Sequence, residues 1–485
     1  MLPPGINAVV DLIRYQALIS PGSVAIRSKY WCLTYPQLVD VIDGLKFRLR
    51  ENGITEGASV GVALDSALFN VFLLSLALLD SGCGFVSRSA AADNAVVPDF
   101  RITDSITQEP IKQIVFDAGW FEESRKLARL PSAHRMTGTV FFGTSGSVGA
   151  RKIVALSEQQ LVARGQSHFF GFGHAVISRQ WGALLGPGNL FGYLSYLSPL
   201  IRGGTLVLNS GSTVDMNSNL DAIEHLTLSP QILSLYLEDE NLNAGTFRNL
   251  KSIMISGSAA PQVLVERAFS KLGVEIYSSY GSTEVGPVAN MQLSAGIDGQ
   301  DAVGYVYPWV DLEIVDEGSP VPDGEEGLVR IRSPYMADQY HADPTSTAKA
   351  YKDGWFYPGD LGRLTEGRLL HVTGRVDELI NVGGLKIAPH KIEHFARAQP
   401  MVSDAAAFGN PSESGINQVW LAVVTSGQVD FNELHLKCVE RFGAVAAPVR
   451  IFHVTSVPRT ETGKIQRSRL KALLTQGSKP APVAS

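Results

Sequence analysis

The sequence predicts an α/β protein of at least two domains. It has largely parallel sheets, a small β-rich subdomain and a smaller α+β domain at the C-terminal end. Three observations carry this. At 485 residues the chain exceeds what one ordinary core organises. Apolar strand-like runs alternate with helical ones over most of the length, the rhythm of α/β layers. After Val303 that rhythm gives way to short strands divided by Gly, Pro and Asp turns.

Taken in order, Ser59–Leu64 is a short apolar strand after Gly57, and Ala67–Leu79 follows as a buried helix. That helix falls short of the ~20 apolar residues that span a bilayer. Thr205–Leu208 comes after the turn Gly203-Gly204, and Ser252–Ile255 leads into Ser256-Gly257-Ser258. Leu312–Val315 and Leu328–Ile331, on either side of Asp323-Gly324, are strands of the β-rich subdomain. Residues 1–376 form the large domain and residues 377–476 the small α+β domain. Residues 477–485, rich in Gly, Ser and Pro, are expected to be a disordered tail. No internal repeat is visible.

Composition narrows the function. With 45% hydrophobic and 18% charged residues and a net charge of -6, the chain reads as a soluble metabolic protein. It lacks the basic face that nucleic acid needs, and its acidic balance disfavours anionic membranes. Cys32, Cys83 and Cys438 match no metal or disulfide spacing. No basic segment followed by an apolar run opens the chain. A reducing, cytoplasmic setting is expected.

Five short motifs carry chemistry. Thr144-Ser145-Gly146-Ser147-Val148-Gly149-Ala150-Arg151-Lys152 follows an apolar strand and gathers hydroxyls and glycines. Glycines let the backbone approach phosphate, and Lys152 adds a point charge. No Gly-Lys-Ser/Thr closes the run, so it is not a Walker loop. In Tyr280-Gly281-Ser282-Thr283-Glu284, Thr283 suits a phosphate oxygen and Glu284 suits Mg²⁺, a hard cation held by one or two carboxylates plus phosphates. Tyr357-Pro358-Gly359-Asp360 offers a carboxylate able to accept both ribose hydroxyls. Gly374-Arg375-Val376-Asp377 marks the domain boundary. Pro458-Arg459-Thr460-Glu461-Thr462-Gly463-Lys464 presents a cation on a glycine-bearing loop, suited to neutralising charge that develops in a transition state. Each motif alone has a plain structural reading: a turn, a helix cap, a turn aspartate, a solvated lysine. The order of all five together does not.

The set resembles the adenylate-forming superfamily of acyl- and aryl-CoA synthetases, nonribosomal-peptide adenylation domains and beetle luciferases. The resemblance runs from Leu33-Thr34-Tyr35-Pro36-Gln37-Leu38 to the lysine loop. It implies a large domain of two α/β sheet subdomains plus a β-rich subdomain, and a small mobile C-terminal domain. It implies ATP contacts from Thr144, Ser145, Gly146, Ser147, Gly149, Lys152, Tyr280, Thr283, Asp360, Arg375 and Lys464. Lys464, Thr283 and Glu284 would serve catalysis, with Mg²⁺ on Glu284. Asp377 would be the hinge. The implied reaction makes an acyl-AMP and pyrophosphate from a carboxylic acid and ATP. After domain rotation a pantetheine thiol would enter past Gly383 and Gly384 and displace AMP.

The chain departs from the family pattern at Val148, Arg151 and Ile153 of the phosphate loop, where threonine, proline and glycine are usual. Losing one hydroxyl donor is expected to weaken pyrophosphate binding by about 1 kcal/mol. Asn381 and Lys391 replace a common lysine and glutamate. The acid pocket is expected at Gly188, Asn189, Ser256, Ser258, Tyr277, Ser278 and Ser279. No aspartate stands at the position where α-amino-acid enzymes pair the substrate ammonium, which argues against an α-amino acid. An aryl or short-to-medium acyl acid is expected. The acceptor is CoA or the phosphopantetheine of a separate carrier protein, CoA being preferred because no carrier domain is visible. The insertion usual in long-chain fatty acyl-AMP ligases has no room here, and luciferase-type oxygenation is rare in the family. A non-catalytic adenylate-binding protein is the reading from another class, and acid-dependent pyrophosphate release separates the two.

Overall fold

The computed structural model describes residues 8–28, 31–64, 68–91, 95–108, 110–117, 119–124, 137–144, 151–168, 170, 180–208, 220–240, 245–258, 260, 262–293, 301–412, 415–460 and 463–477. The expected tail therefore lies almost wholly outside the described residues.

Two sheets build the large N-terminal part. The first has six strands in the order Lys112–Val115, Phe100–Thr103, Ser59–Ala63, Gly84–Val86, Thr139–Gly143, Ile153–Ser157. All neighbours are parallel except the last two, which form an antiparallel pair across the phosphate loop. The helix Leu68–Leu79 is buried all round from Val71 to Leu79, as its nearly all-apolar sequence requires, and the one hydroxyl in that stretch, Ser75 Oγ, donates to the Phe72 carbonyl (2.6 Å). The Leu33–Leu38 motif is a helix start. The Thr34 N–H donates to Gln37 Oε1 (2.9 Å) and Pro36 sits in the first turn of Tyr35–Glu51.

The second sheet begins with the antiparallel pair Cys32–Thr34 and Val24–Arg27, and from Val24–Arg27 it runs parallel through Thr205–Val207, Gln180–Ala183, His225–Leu228, Ser252–Ser256 and Glu275–Ser282. It continues without a break into antiparallel Gly286–Leu293, Ala302–Val306, Leu369–Arg375, Asp360–Thr365, Gly327–Arg332 and Asp311–Asp316. The β-rich region thus reaches Arg375, further than the composition change alone suggested. It extends the sheet of the α/β layer by hydrogen bonding.

Residues 380–477 have their own layers. These are a hairpin Ile380–Val382/Leu385–Ile387, a three-stranded sheet Val402–Pro411, Asn417–Thr425, Arg450–His453, and helices Pro389–Arg397, Phe431–Phe442 and Arg467–Gly477. Separate apolar cores, one around Ile392, Leu421 and Ile451 and one around Phe408, Trp420 and Leu470, hold them together. No helix among the described residues is long and apolar enough to cross a membrane.

Candidate active site

Thr283 and Glu284 sit in the turn between Glu275–Ser282 and Gly286–Leu293, an antiparallel pair. No helix follows, so the helix-cap alternative for these residues falls away. Their carbonyl oxygens point back into the protein. The Thr283 carbonyl accepts from Arg164 Nη1 (2.7 Å) and the Glu284 carbonyl from Arg164 Nη2 (3.0 Å) and from the Ala337 N–H (2.7 Å). The Glu284 side chain, 8% exposed, accepts at Oε1 from Tyr340 Oη (2.8 Å). Lys152 Nζ lies 5.0 Å from the centre of the Tyr340 ring. One aromatic thus touches both the carboxylate expected to hold the metal and Lys152.

Among the described residues no cluster of three His, Cys, Asp or Glu gathers for a metal. A single fixed carboxylate nevertheless suits Mg²⁺, which keeps water and substrate phosphates as its other ligands.

Asp360, expected in a turn, is instead the first residue of the strand Asp360–Thr365 and pairs in register with Arg375. Its two oxygens are both engaged. Tyr280 Oη donates to Oδ2 and Arg375 Nη1 to Oδ1 (2.8 Å). Burial opposes the Arg375 charge, but the carboxylates of Asp360 and Asp377 more than offset it and raise its pKa. Burial, then the Asp360 charge, drives the Tyr280 phenol well above its ordinary value. Arg375 Nε also donates to Asp377 Oδ1 (2.9 Å), so one guanidinium joins the carboxylate expected to hold the ribose to the expected hinge.

Thr144 is buried and its N–H donates to the Lys152 carbonyl (2.8 Å), closing the base of the phosphate loop. Ser145, Gly146, Ser147 and Gly149, with Val148, lie outside the described residues. Ile153 is the first residue of its strand, and its carbonyl accepts from the His341 N–H (2.7 Å).

The lysine loop reaches the large domain. Gly463 has φ of +85°, and a Cβ there would come within 2.9 Å of Ser258 Oγ and 4.0 Å of Gln231 Cβ. Lys464 is exposed, its N–H bonded to Thr460 Oγ1 (3.1 Å). Arg459 braces the loop, donating to the Gly463 carbonyl (2.8 Å) and to both Asp404 oxygens. Gly383 and Gly384, with φ of +59° and +99°, have no atom within 4 Å of a built Cβ. Asn381 Oδ1 accepts from the Gly384 N–H (2.9 Å), so that departure from the family pattern shapes the turn.

In the expected acid pocket Asn189 proves to be a helix cap. Its Oδ1 accepts from the Gly192 N–H (2.9 Å) at the start of Leu190–Ile201. The Gly188 carbonyl accepts from Ser89 Oγ (2.8 Å), and a Cβ on Gly188 would meet open space. Ser256 Oγ donates to the Ser279 carbonyl (2.7 Å). Strand alternation sends Ile253, Ile255 and Ile276 to one face, against the helices Pro230–Glu238 and Gln262–Leu272. Met254 and Tyr277 go to the other, in one buried cluster with Trp181 and against Phe191. Across that face the rows descend from Ser256 and Ser279, through Met254 and Tyr277, to Trp181 and His225. The wall is small and polar near Thr283 and Glu284 and bulky below. Ser278 points away from it by the same alternation.

Arg164, Tyr340 and Trp181 were not anticipated. Only a tyrosine shortly before the turn Ala342-Asp343-Pro344 gave any local signal, and strand pairing had to be known to use it.

Comparisons with known proteins agree with this geometry. Residues 101–341 match the model of the AMP-binding enzyme family, and residues 391–464 match that of the AMP-binding enzyme C-terminal domain. A fatty acid–[acyl-carrier-protein] ligase of Streptomyces coeruleorubidus is 29% identical over 68% of this chain and 66% of that protein. A medium/long-chain-fatty-acid–[acyl-carrier-protein] ligase of Mycobacterium tuberculosis is 27% identical over 97% of this chain and 96% of that protein. An indoleacetate–CoA ligase of Aromatoleum aromaticum is 26% identical over 96% of this chain and 98% of that protein. The solved o-succinylbenzoate CoA synthetase of Bacillus subtilis, 20% identical, shares the fold with a TM-score of 0.80 over 97% of this chain and 98% of that one.

Proposed function

Because the chain belongs to the adenylate-forming, AMP-binding enzymes, we propose that it activates a compact carboxylic acid with ATP and passes the acyl group to the thiol of CoA. The observation that carries the reading is the lysine loop resting at Ser258, on the side of the site where Thr283, Glu284 and Asp360 are held. In this arrangement the acid's carboxylate attacks the α-phosphate, an acyl-AMP forms and pyrophosphate leaves.

Asp360, fixed by Tyr280 and Arg375, holds the ribose. Thr283 meets the α-phosphate, and Thr144 and Lys152 with the loop between them meet the outer phosphates. Lys464 neutralises charge between carboxylate and α-phosphate. Glu284 would hold Mg²⁺, which when bound supplies charge neutralisation on the phosphates. Rotation about Asp377 then exchanges the lysine loop for the Gly383-Gly384 turn, and the thiol displaces AMP. The open space around those glycines fits a surface that is used only after rotation.

What supports a compact acid, aryl or short-to-medium acyl, is the graded pocket wall. Trp181 packs with Met254 and Tyr277 and against Phe191, so the side chains below the serines are bulky. A second reading has the phosphopantetheine of a separate carrier protein as acceptor. It is favoured by the two carrier-protein ligases among the relatives.

The test is pyrophosphate and AMP release across benzoates, cinnamates, fatty acids and dicarboxylates, with and without CoA, with products identified by mass. AMP turnover that requires CoA is the expected outcome. Pyrophosphate release stalling after about one turnover despite CoA selects the carrier reading. No acid-dependent release from any acid rejects the enzyme reading.

A further inference from the structure

Among the described residues Arg164 is the largest side chain that the fold buries completely. It projects from the helix Glu158–Ser167, which follows the phosphate-loop strands, to the turn bearing Thr283 and Glu284. Its hydrogen bonds run to main-chain oxygens. Nε and Nη2 donate to the Tyr335 carbonyl (2.9 and 2.8 Å), Nη1 to Thr283 and Nη2 to Glu284. A planar fork of five donors is the one side chain able to collect three carbonyls from two segments in this way. Burial lowers it to about 10, which leaves it cationic at neutral pH.

The stem is accommodated as specifically as the head. Gly286 has φ of +72°, and a Cβ on it would stand 3.1 Å from Arg164 Cγ and equally close to the Tyr335 ring. Arginine and glycine fit as a pair. With the carbonyls of residues 283 and 284 drawn toward Arg164, the Glu284 side chain meets Tyr340. Tyr335 begins the segment that carries Tyr340 to the Glu284 carboxylate.

We propose that Arg164 is a positioning residue for the metal and α-phosphate step: its guanidinium sets the orientation of Thr283 and Glu284 from behind, and thereby the affinity for metal–ATP. The proposal rests on the adenylation reading above. It predicts a selective defect. Asp360 and Arg375, assigned above to the ribose, share no hydrogen bond with Arg164, and the second half-reaction uses no metal–ATP.

The experiment compares the full-length protein with Arg164→Met, Arg164→Lys and Gly286→Ala. Four quantities are read: acid-dependent ATP–pyrophosphate exchange, binding of Mn²⁺–ATP by paramagnetic titration, AMP affinity by calorimetry, and thioester formation from supplied acyl-AMP. In Arg164→Met, exchange is expected to fall about 10²-fold and Mn²⁺–ATP affinity at least about fivefold. AMP affinity and the thioester step keep the α-phosphate at Thr283 but use no metal–ATP, so they are expected to fall less, by no more than about threefold. Arg164→Lys, which keeps the charge but not the fork, is expected to fall between. Should Arg164→Met not fold, Arg164→Lys and Gly286→Ala carry the test, each expected to weaken Mn²⁺–ATP more than AMP. Equal loss in all four readouts reduces Arg164 to a fold-holding residue and overturns the proposal, as do wild-type values in Mn²⁺–ATP binding and exchange. Wild type that shows no exchange with any acid refutes the function itself, a distinct result.

Discussion

The turn at Thr283–Glu284 and the loop at Lys464 are both proposed to serve the phosphates, and they are built in opposite ways. The turn is locked by Arg164 and the Ala337 amide behind and by Tyr340 in front, and Glu284 is buried. The loop touches the large domain through a glycine, and its lysine stands in solvent. Groups needed in one geometry are held by the core. The group that must leave between half-reactions is held by its own small domain, through Arg459 and Asp404. Preorganisation belongs to the first kind and exchange to the second.

Removing the delivered group breaks the comparison hardest. Lys464→Ala is expected to slow acyl-AMP formation by ~10²–10³-fold while affecting thioester formation from supplied acyl-AMP much less. Equal loss in both steps, measured by single-turnover kinetics, would remove the case for two arrangements. The complementary change is Gly384→Trp. It places a large side chain where the turn is open and φ is +99°. The thioester step is expected to fall by more than about tenfold with adenylation within about threefold. An unchanged thioester rate would put the thiol's path elsewhere.

The fixed side of the site sharpens the same contrast through its pocket. Trp181→Ala is expected to raise kcat/KM for an acid one methylene longer by about tenfold relative to the compact acid, given 1–3 kcal/mol per methylene in an apolar pocket. An unchanged chain-length profile would show that Trp181 does not floor the pocket.

How much of this was readable in the chain follows the same division. Lys464, Asp360, Thr283 and Glu284 are motif residues because their chemistry is local: a cation on a glycine loop, a carboxylate on a turn or strand end. The parallel strands and the helix Leu68–Leu79 were legible from apolar runs. The continuity of the β-rich region with the large sheet was not, because strand pairing is a long-range property. Arg164 and Tyr340 lie 120 and 56 residues from Glu284, and nothing in their neighbours announces a partner. Asn189 has the opposite history. It was picked out as a pocket residue with a structural amide as an equal alternative, and its amide oxygen caps a helix, which is that alternative.

The smallest expected effect concerns acid, and it falls on the buried side. Burial pushes His168 down to about 3, and burial together with the nearby His168 does the same to His225, from an ordinary value near 6.5. Both are therefore neutral in the folded protein throughout the neutral range. A depressed histidine imposes no penalty above pH 6.5. As pH falls below it, the unfolded chain binds protons that the folded chain refuses, so stability declines toward the folded value near 3. Between pH 7 and pH 6 the pair accounts for about 1.4 kcal/mol, roughly tenfold in the unfolding equilibrium. His390 and His394 of the small domain are shifted by burial in the same direction, but both keep more contact with solvent. Urea unfolding followed by tryptophan fluorescence at the two pH values measures the loss. His225→Gln is expected to remove about half of it. Stability that stays flat from pH 7 to pH 6 would mean that the pocket floor admits water, and with it room for a larger acid than Trp181 allows.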